Sequence, residues 1–132
     1  AAWEWAVLLN KSKNKLPTFF KHRCKFTAKG LEQSTDEKVA IFKANNFSGQ
    51  ILLDLTGGLG VDDWAFSENF QKIITVEQSA ELNEIAIYNF KHLNVQNIER
   101  ITDSAENFLK NYKALSRKFH RGVARCLGLE HL

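Results

Sequence analysis

The stretch that decides the fold is residues 51–63, which run Ile-Leu-Leu-Asp-Leu-Thr-Gly-Gly-Leu-Gly-Val-Asp-Asp. Three apolar residues lead into Asp54 and then into a loop with three glycines, after which apolar residues resume at Val61. This pattern predicts a buried strand, a tight turn and the start of a helix. Glycines are needed where a backbone must approach another group closely, and above such a helix start that group is usually a nucleotide-like ligand. The stretch therefore predicts a cofactor site.

The segments that follow predict alternating strands and helices. We expect strands over 50–55, 73–76 and 98–102, and helices over about 61–69 and 80–92. The order strand, helix, strand, helix, strand calls for right-handed crossovers and a parallel sheet with helices on its faces. Residues 49–109 are therefore predicted to form an α/β unit.

Residues 1–48 predict a helical and basic N-terminal segment. Residues 3–9 are expected in a helix, and residues 10–30 in a loop with short structure around Pro17, the only proline. Basic and aromatic side chains alternate there (Lys11, Lys13, Lys15, Lys21, Arg23, Lys25 and Lys29 with Phe19, Phe20 and Phe26). Such a mixture is typical of surfaces that follow a phosphate backbone and stack on bases. It also arises where aromatic rings anchor an irregular segment to a core, and the sequence leaves both interpretations open.

A helix is expected to begin near Ser34. Ser34 and Glu37 have the spacing of a capping box, in which each side chain satisfies an amide of the first turn. Val39, Ile41 and Phe42 would then form the apolar face of this helix.

Charge is segregated along the 132-residue chain. The net charge of +3 is the sum of +5 over residues 1–48, −7 over residues 49–109 and +5 over residues 110–132. Basic ends around an acidic centre are compatible with nucleic acid bound along the flanks, although a solvated surface with uneven charge explains them at least as well. A hydrophobic fraction of 44% suits one globular domain.

The last segment, residues 110–132, predicts a basic amphipathic helix. In the tail from residue 104 on, apolar residues recur every three or four positions, and Gly122 weakens the pattern (Leu109, Tyr112, Leu115, Phe119, Val123 and Cys126). We expect no convincing further strand in this segment.

The cysteines, the histidines and the lengths of the apolar runs allow predictions about the cellular compartment and about metal binding. Cys24 and Cys126 are the only cysteines, which favours free thiols in the cytoplasm. The histidines lack the spacing of zinc ligands, no apolar run reaches the roughly 20 residues of a membrane span, and no signal peptide is expected. We therefore predict a cytoplasmic protein with no metal site and no membrane partner.

Three acids follow the three predicted strands: Asp54, Glu77 and Asp103. The carboxyl ends of parallel strands meet at one edge of a sheet, which is where ligands bind. Glu77 lies twenty residues after Gly57, the spacing at which an acid accepts hydrogen bonds from a ribose. Acids at strand ends also cap the following helix, and for Asp103 this alternative stays open.

The stretch 54–60, Asp-Leu-Thr-Gly-Gly-Leu-Gly, resembles the first motif of class I S-adenosylmethionine-dependent methyltransferases. It resembles nicotinamide-binding proteins less, because Asp63 stands where their third glycine belongs. Together with Leu-Glu-Gln-Ser at 31–34 and Lys-Asn-Lys-Leu-Pro at 13–17, it is similar to the bacterial RNA methyltransferases that carry a THUMP-like domain. The resemblance covers about residues 10–109 and implies a partial Rossmann-like parallel sheet.

The resemblance implies S-adenosylmethionine as cofactor and a role for each motif position. Gly57, Gly58 and Gly60 would let the backbone pass the methionine part. Asp54 would orient the loop and hold the ammonium group, Glu77 would bind the ribose hydroxyls, and Asp103 would bind the adenine amine. The implied cofactor-binding residues are Asp54, Thr56, Gly57, Gly58, Gly60, Asp62, Glu77, Gln78, Asp103, Ser104 and Ala105.

The chain departs from the family pattern in one respect. The family has a fourth strand ending in Asp/Asn-Pro-Pro-Tyr or a close variant, and no proline follows Pro17 here. The resemblance therefore implies the cofactor-binding half of an RNA methyltransferase, with no catalytic residue assigned and an open sheet edge through which two copies could pair. A non-catalytic RNA-binding module with a relic of this fold is the alternative, and a nicotinamide protein is a third.

Overall fold

The computed structural model describes residues 2–111 and, for the backbone alone, residues 123–127. The helices in this part are α1 (Ala2–Ser12), α2 (Pro17–Lys21), α3 (Ala28–Gln33), α4 (Glu37–Ala44), α5 (Val61–Phe66), α6 (Ala80–His92) and α7 (Ala105–Lys110). The strands are β1 (Gly49–Asp54), β2 (Phe70–Glu77), β3 (Ile98–Thr102) and β4 (Val123–Leu127).

The strands form one parallel sheet in the order β3-β2-β1-β4. Asp54 is in register with Thr75, and Glu77 with Thr102, so the carboxyl ends of β1, β2 and β3 lie along one edge. The predicted α/β class and the three predicted strands are confirmed. The amide N–H of Asp103 donates to the carbonyl of Glu77 over 3.2 Å, which holds the ends of β2 and β3 together.

The described part of the tail corrects two expectations. Residues 123–127, expected in a helix, form a strand that pairs with β1 in parallel, with Cys126 in register with Leu53. The further strand that was not expected makes β1 an inner strand, and the sheet ends at β3 and β4. Apolar residues three or four apart favoured a helix, whereas in the structure the backbone groups of residues 123–127 pair with those along the edge of β1. Residues 112–122 of the predicted helix lie outside the described residues.

Both faces of β1 and β2 are buried, as is usual in parallel sheets. Leu52 and Ile73 face a core shared with the N-terminal helices and α5. Leu53 and Ile74 face a smaller core closed by Phe108 of α7. The alternation places successive residues of β1 and β2 on opposite sides, which fixes the register of the sheet.

The aromatic residues of the basic segment belong to the core. Phe19 is fully buried and packs edge-on against Trp64, with ring centroids 5.3 Å apart, and Phe26 is buried as well. Asn89 of α6 accepts from the N–H of Lys25 at 2.7 Å and donates to its carbonyl at 2.9 Å. The base-stacking interpretation is therefore wrong for Phe19 and Phe26, because buried rings cannot stack on bases.

The start of α4 also differs from the expectation. Asp36 is the N-cap, accepting from the N–H of Lys38 at 3.0 Å, while Ser34 ends α3. Glu37 takes no part in a capping box because its buried carboxylate accepts hydrogen bonds from the N–H and hydroxyl of Thr18.

The apolar face expected for α4 is exposed. Val39, Ile41 and Phe42 lie on the surface, whereas Ala40 and Ala44 are buried. Small side chains allow a helix to approach its neighbour closely, and this placed the alanine face of α4 against the core.

Among the helices of residues 2–111, none is long and apolar enough to cross a membrane. The same residues contain no group of three His, Cys, Asp or Glu side chains that could hold a metal ion.

Candidate functional site

The glycine loop between β1 and α5 needs its glycines for two reasons. A Cβ on Gly57 would lie 2.5 Å from Cγ2 of Thr75, and a Cβ on Gly60 would lie 2.7 Å from the Phe90 ring. Gly58 and Gly60 have φ angles of +51° and +93°, in the left-handed region that favours glycine.

At two of the three positions the packing of the protein itself already requires glycine. Gly57 and Gly60 face side chains of the protein itself, so the loop lies directly on β2 and α6. A Cβ on Gly58 would meet open space, with its nearest neighbour, the Thr56 carbonyl, 4.0 Å away. Gly58 is thus the position of the three that faces outward.

Glu77 connects the glycine loop to the loop after β2. Its Oε1 accepts from the N–H of Gly58 at 2.9 Å, and its Oε2 accepts from the N–H of Ser79 at 2.7 Å. An ionised carboxylate has about four acceptor positions, so each oxygen keeps capacity for a further donor. Glu77 both shapes the loop and remains able to bind a ligand.

A cavity of about 510 Å³ opens above these two loops. One wall consists of residues 56–62, 77–79, 81 and 82, and the opposite wall comes from α3 and its flanking residues. The residues of that second wall are Thr27, Lys29, Gly30, Gln33, Ser34 and Thr35. The volume lies in the range of small-molecule sites.

Most of the sequence-predicted site residues meet at this cavity. Those that line it are Thr56, Gly57, Gly58, Gly60, Asp62, Glu77 and Gln78. Those that do not are Asp54, Asp103, Ser104 and Ala105. Of the three acids expected to face one ligand, Glu77 is the one on the cavity wall.

Asp54 lies beneath the glycine loop. It is buried, and its Oδ1 accepts from the N–H of Thr56 at 2.8 Å and from the Thr56 hydroxyl at 3.0 Å. These bonds turn the chain into the loop, which agrees with an orienting role.

Asp103 and Ser104 are engaged at the start of α7. The Ser104 hydroxyl accepts from the N–H of Asn107 at 3.0 Å, and Oδ1 of Asp103 accepts from the Asn107 side chain at 3.0 Å and from the Ser104 N–H at 2.8 Å. The N-cap of α7 is therefore Ser104, and Asp103 supports the cap from the preceding position.

Asp62 joins the two walls of the cavity. Its carboxylate lies 3.4 Å from Nζ of Lys43 in α4 and accepts from the Thr35 hydroxyl at 3.3 Å. The contact ties the start of α5 to the N-terminal helices.

A buried arginine under the glycine loop was not predicted. From β3, the Arg100 guanidinium donates to the carbonyl of Gly58 at 2.5 Å and to that of Gly57 at 3.4 Å. Its Nε donates to Oδ1 of Asn83 at 2.7 Å, and its Nη1 lies 3.6 Å from Oδ2 of Asp63. The side chains of Arg100 and Asp63 are fully buried. The signal that could have identified it is an arginine inside a predicted strand of a parallel sheet, in the sequence Ile-Glu-Arg-Ile of residues 98–101.

Asp63 completes this network. Its Oδ2 accepts from the hydroxyl of Thr75 at 2.6 Å, and burial together with the neighbouring Asp54 raises its pKa well above the ordinary value. Burial lowers the pKa of Arg100, an effect opposed by Asp63, Glu77 and Asp54. Arginine nevertheless stays charged in proteins. The loop therefore rests on one cation and several carboxyl groups.

Comparison with known proteins finds similar solved structures but no matching sequence family. No protein-family model matches the chain, and no curated protein matches it. Among solved structures, that of a "putative methyltransferase" from Porphyromonas gingivalis W83 matches with a TM-score of 0.70 and 28% identity over 86% of this chain.

Two further structures share the fold at lower identity. The Podospora anserina methyltransferase PaMTH1, solved with S-adenosylhomocysteine bound, has a TM-score of 0.57 and 20% identity, covering 83% of this chain and 52% of its own. An rRNA methylase from Streptococcus thermophilus has a TM-score of 0.53 and 20% identity, covering 71% of this chain and 55% of its own.

The fold is therefore the Rossmann-like α/β fold of methyltransferases. The chain spans 28% of the length of the Porphyromonas gingivalis protein, so it corresponds to a minor part of that molecule.

Proposed function

We propose that this chain binds S-adenosylmethionine or S-adenosylhomocysteine in the cavity between the glycine loop and α3, as the cofactor-binding part of a methyltransferase. The observation that carries the proposal is a cavity of about 510 Å³ at the carboxyl ends of β1 and β2, lined by the motif loop and Glu77. In open parallel sheets ligands bind at this edge. The likeness in fold to structures of methyltransferases supports the reaction class.

The chemistry of the walls suits this cofactor. S-adenosylmethionine carries ribose hydroxyls, an amine, an ammonium group and a sulfonium, and carboxylates accept from or attract all of these. Among the described residues, the charged ones that line the cavity are Asp62, Glu77 and Glu81 together with one cation, Lys29. We assign the ribose hydroxyls to the remaining acceptor positions of Glu77, and the carboxylate of the methionine part to Lys29.

The other implied residues contribute at the margins of this site. Asp54 orients the loop through Thr56. Asp103 follows β3 at the same edge and is bonded through its N–H to the Glu77 carbonyl, so we assign Asp103, Ser104 and Ala105 to the adenine end. The cofactor supplies an electrophilic methyl group, and the chain's part is to bind and orient it. The proposal assigns no catalytic residue.

An RNA base is the proposed methyl acceptor. The narrower sequence resemblance supports it, and two residues of its Leu-Glu-Gln-Ser stretch, Gln33 and Ser34, lie on the cavity wall. The lysines of residues 10–30 are mostly exposed, although Lys15 is held by the carbonyls of Leu31 and Glu32 at 2.7 and 3.0 Å. Phosphate contacts by such lysines would make binding steeply dependent on salt.

Calorimetry with S-adenosylhomocysteine tests the cofactor proposal, with NAD as the comparison ligand. We expect binding of the former alone, weakened at least about tenfold by Glu77→Gln, because hydrogen bonds to charged groups contribute about 1.5–3 kcal/mol. Glu84→Gln, at an exposed position of α6, is the matched control and should bind like the unmodified chain. Absence of binding to the unmodified chain would overturn the proposal.

The acceptor is tested separately with RNA. Transfer of a labelled methyl group to RNA, or salt-sensitive RNA binding that S-adenosylhomocysteine alters, is the expected result. Salt-sensitive RNA binding without any cofactor binding would instead favour a non-catalytic RNA-binding module.

A further inference from the structure

We propose that Arg100 is a positioning residue that holds the glycine loop in the shape that receives a ligand. It does not line the cavity, and it acts from below through the backbone. The part of this proposal that concerns the ligand rests on the proposed function, whereas the part that concerns the loop does not.

The contacts of Arg100 converge on the two central residues of the loop. The guanidinium binds the carbonyls of Gly57 and Gly58, at 3.4 and 2.5 Å. The Gly58 N–H shares its peptide group with the Gly57 carbonyl, and it donates to Oε1 of Glu77 at 2.9 Å on the opposite side of that group. The peptide groups on either side of the outward-facing glycine are therefore held by one buried cation and one carboxylate.

The anchorage of Arg100 is independent of the loop. Oδ1 of Asn83 in α6 accepts a hydrogen bond from Nε of Arg100 at 2.7 Å, and Oδ2 of Asp63 in α5 lies 3.6 Å from Nη1. Asn83 in turn donates to the Glu77 carbonyl at 3.0 Å and to the Thr102 hydroxyl at 2.8 Å. Because these partners belong to packed helices and strands, the guanidinium is held rigidly and transmits that rigidity to the loop.

The geometry requires an arginine. Three nitrogens of one planar group reach acceptors on different segments, which the compact ammonium group of a lysine cannot do. Arg100→Lys therefore keeps the charge and loses part of the positioning. Neutral Arg100→Gln loses both.

Amide hydrogen exchange of the ligand-free chain is the direct test. In Arg100→Lys we expect the Gly58 amide to exchange at least about tenfold faster, because the peptide groups on both sides of Gly58 lose hydrogen bonds at their carbonyls. Amides of Leu52 and Leu53 in β1 should keep their protection. Glu99→Gln is the matched control: Glu99 is the preceding residue of β3, pairs with Lys72 at 3.7 Å and is half-exposed.

Binding of S-adenosylhomocysteine gives the second readout. We expect its Kd to rise at least about tenfold in Arg100→Lys and to stay unchanged in Glu99→Gln. If the unmodified chain binds no S-adenosylhomocysteine, the proposed function fails and the exchange experiment alone decides the role of Arg100.

Three results would overturn the positioning role. These are unchanged exchange at Gly58, an equal rise in exchange across β1 and β2, and loss of folding in both arginine variants. The last two would identify Arg100 as a residue of general stability.

Discussion

Replacing Gly57 with alanine gives the sharpest test of how the glycine loop is held. The new Cβ would lie 2.5 Å from Cγ2 of Thr75, about 1 Å inside the ordinary contact distance of about 3.5 Å between carbon atoms. Thr75 cannot turn away freely, because its hydroxyl donates to buried Asp63 at 2.6 Å. Overpacking of this kind costs about 1–3 kcal/mol, of which about 0.4–1 kcal/mol is offset by the lower chain entropy of unfolded alanine.

A second substitution isolates the clash. Thr75→Ser removes Cγ2 and keeps the hydroxyl, so by itself it costs about 1 kcal/mol for a lost buried methyl. In the double variant we expect the two substitutions to be coupled favourably by about 1 kcal/mol or more. Rescue should be incomplete, because Nη1 of Arg100 and Cβ of Glu77 remain 3.1 Å from the new Cβ.

Urea unfolding of the four proteins in this cycle measures the coupling. Gly58→Ala is the control: its φ of +51° costs about 1–2 kcal/mol, and since no side chain crowds it, Thr75→Ser should not rescue it. Additive effects of Gly57→Ala and Thr75→Ser would refute the reasoning, as would equal rescue of Gly58→Ala.

Three further predictions concern the buried network and the N-terminal packing. Because the pKa of Asp63 is raised, the folded chain retains a proton that the unfolded chain releases as pH rises above about 4. The contribution of Asp63 to the free energy of unfolding therefore falls by up to about 1.4 kcal/mol for each pH unit. Asp63→Asn should remove that slope in urea melts across pH 4–8, and parallel curves would contradict the assignment. Asn89→Leu should lower unfolding free energy by at least about 2 kcal/mol, because both backbone groups of Lys25 lose their partner; a loss under half of that would show another partner. Phe42→Gln should change the free energy of unfolding by less than about 0.5 kcal/mol, whereas Phe19→Ala should lower it by about 3–5 kcal/mol. A larger loss in Phe42→Gln than in Phe19→Ala would show that the apolar face of α4 is buried after all.

Local patterns predicted the central part of the fold well. The helix expected over 80–92 and the strand expected over 98–102 have the observed bounds, because their apolar periodicity is regular and their ends carry clear signals. The glycine loop and Glu77 were placed at one cavity for the same reason: residues at fixed spacing after parallel strands meet at one edge.

Failures of the local reasoning occurred where two partners compete for one residue. Glu37 has the spacing of a capping box, but the backbone and hydroxyl of Thr18 offered it a buried site. The backbone at 123–127 has apolar residues at helical spacing, but β1 offered a row of unpaired hydrogen-bonding groups. In both places the competing partner is distant in sequence.

The local sequence by itself determined that β1, the glycine loop and β2 follow one another and that Glu77 ends β2. Backbone conformation and side-chain alternation depend mainly on residues that are close in sequence. What holds the loop was decided by the tertiary structure, since Arg100 meets Gly57 and Gly58 only after β3 has joined β2. Burying a guanidinium is favourable only where carboxyl and carbonyl groups are already positioned to bind it, and they are so positioned only in the folded state.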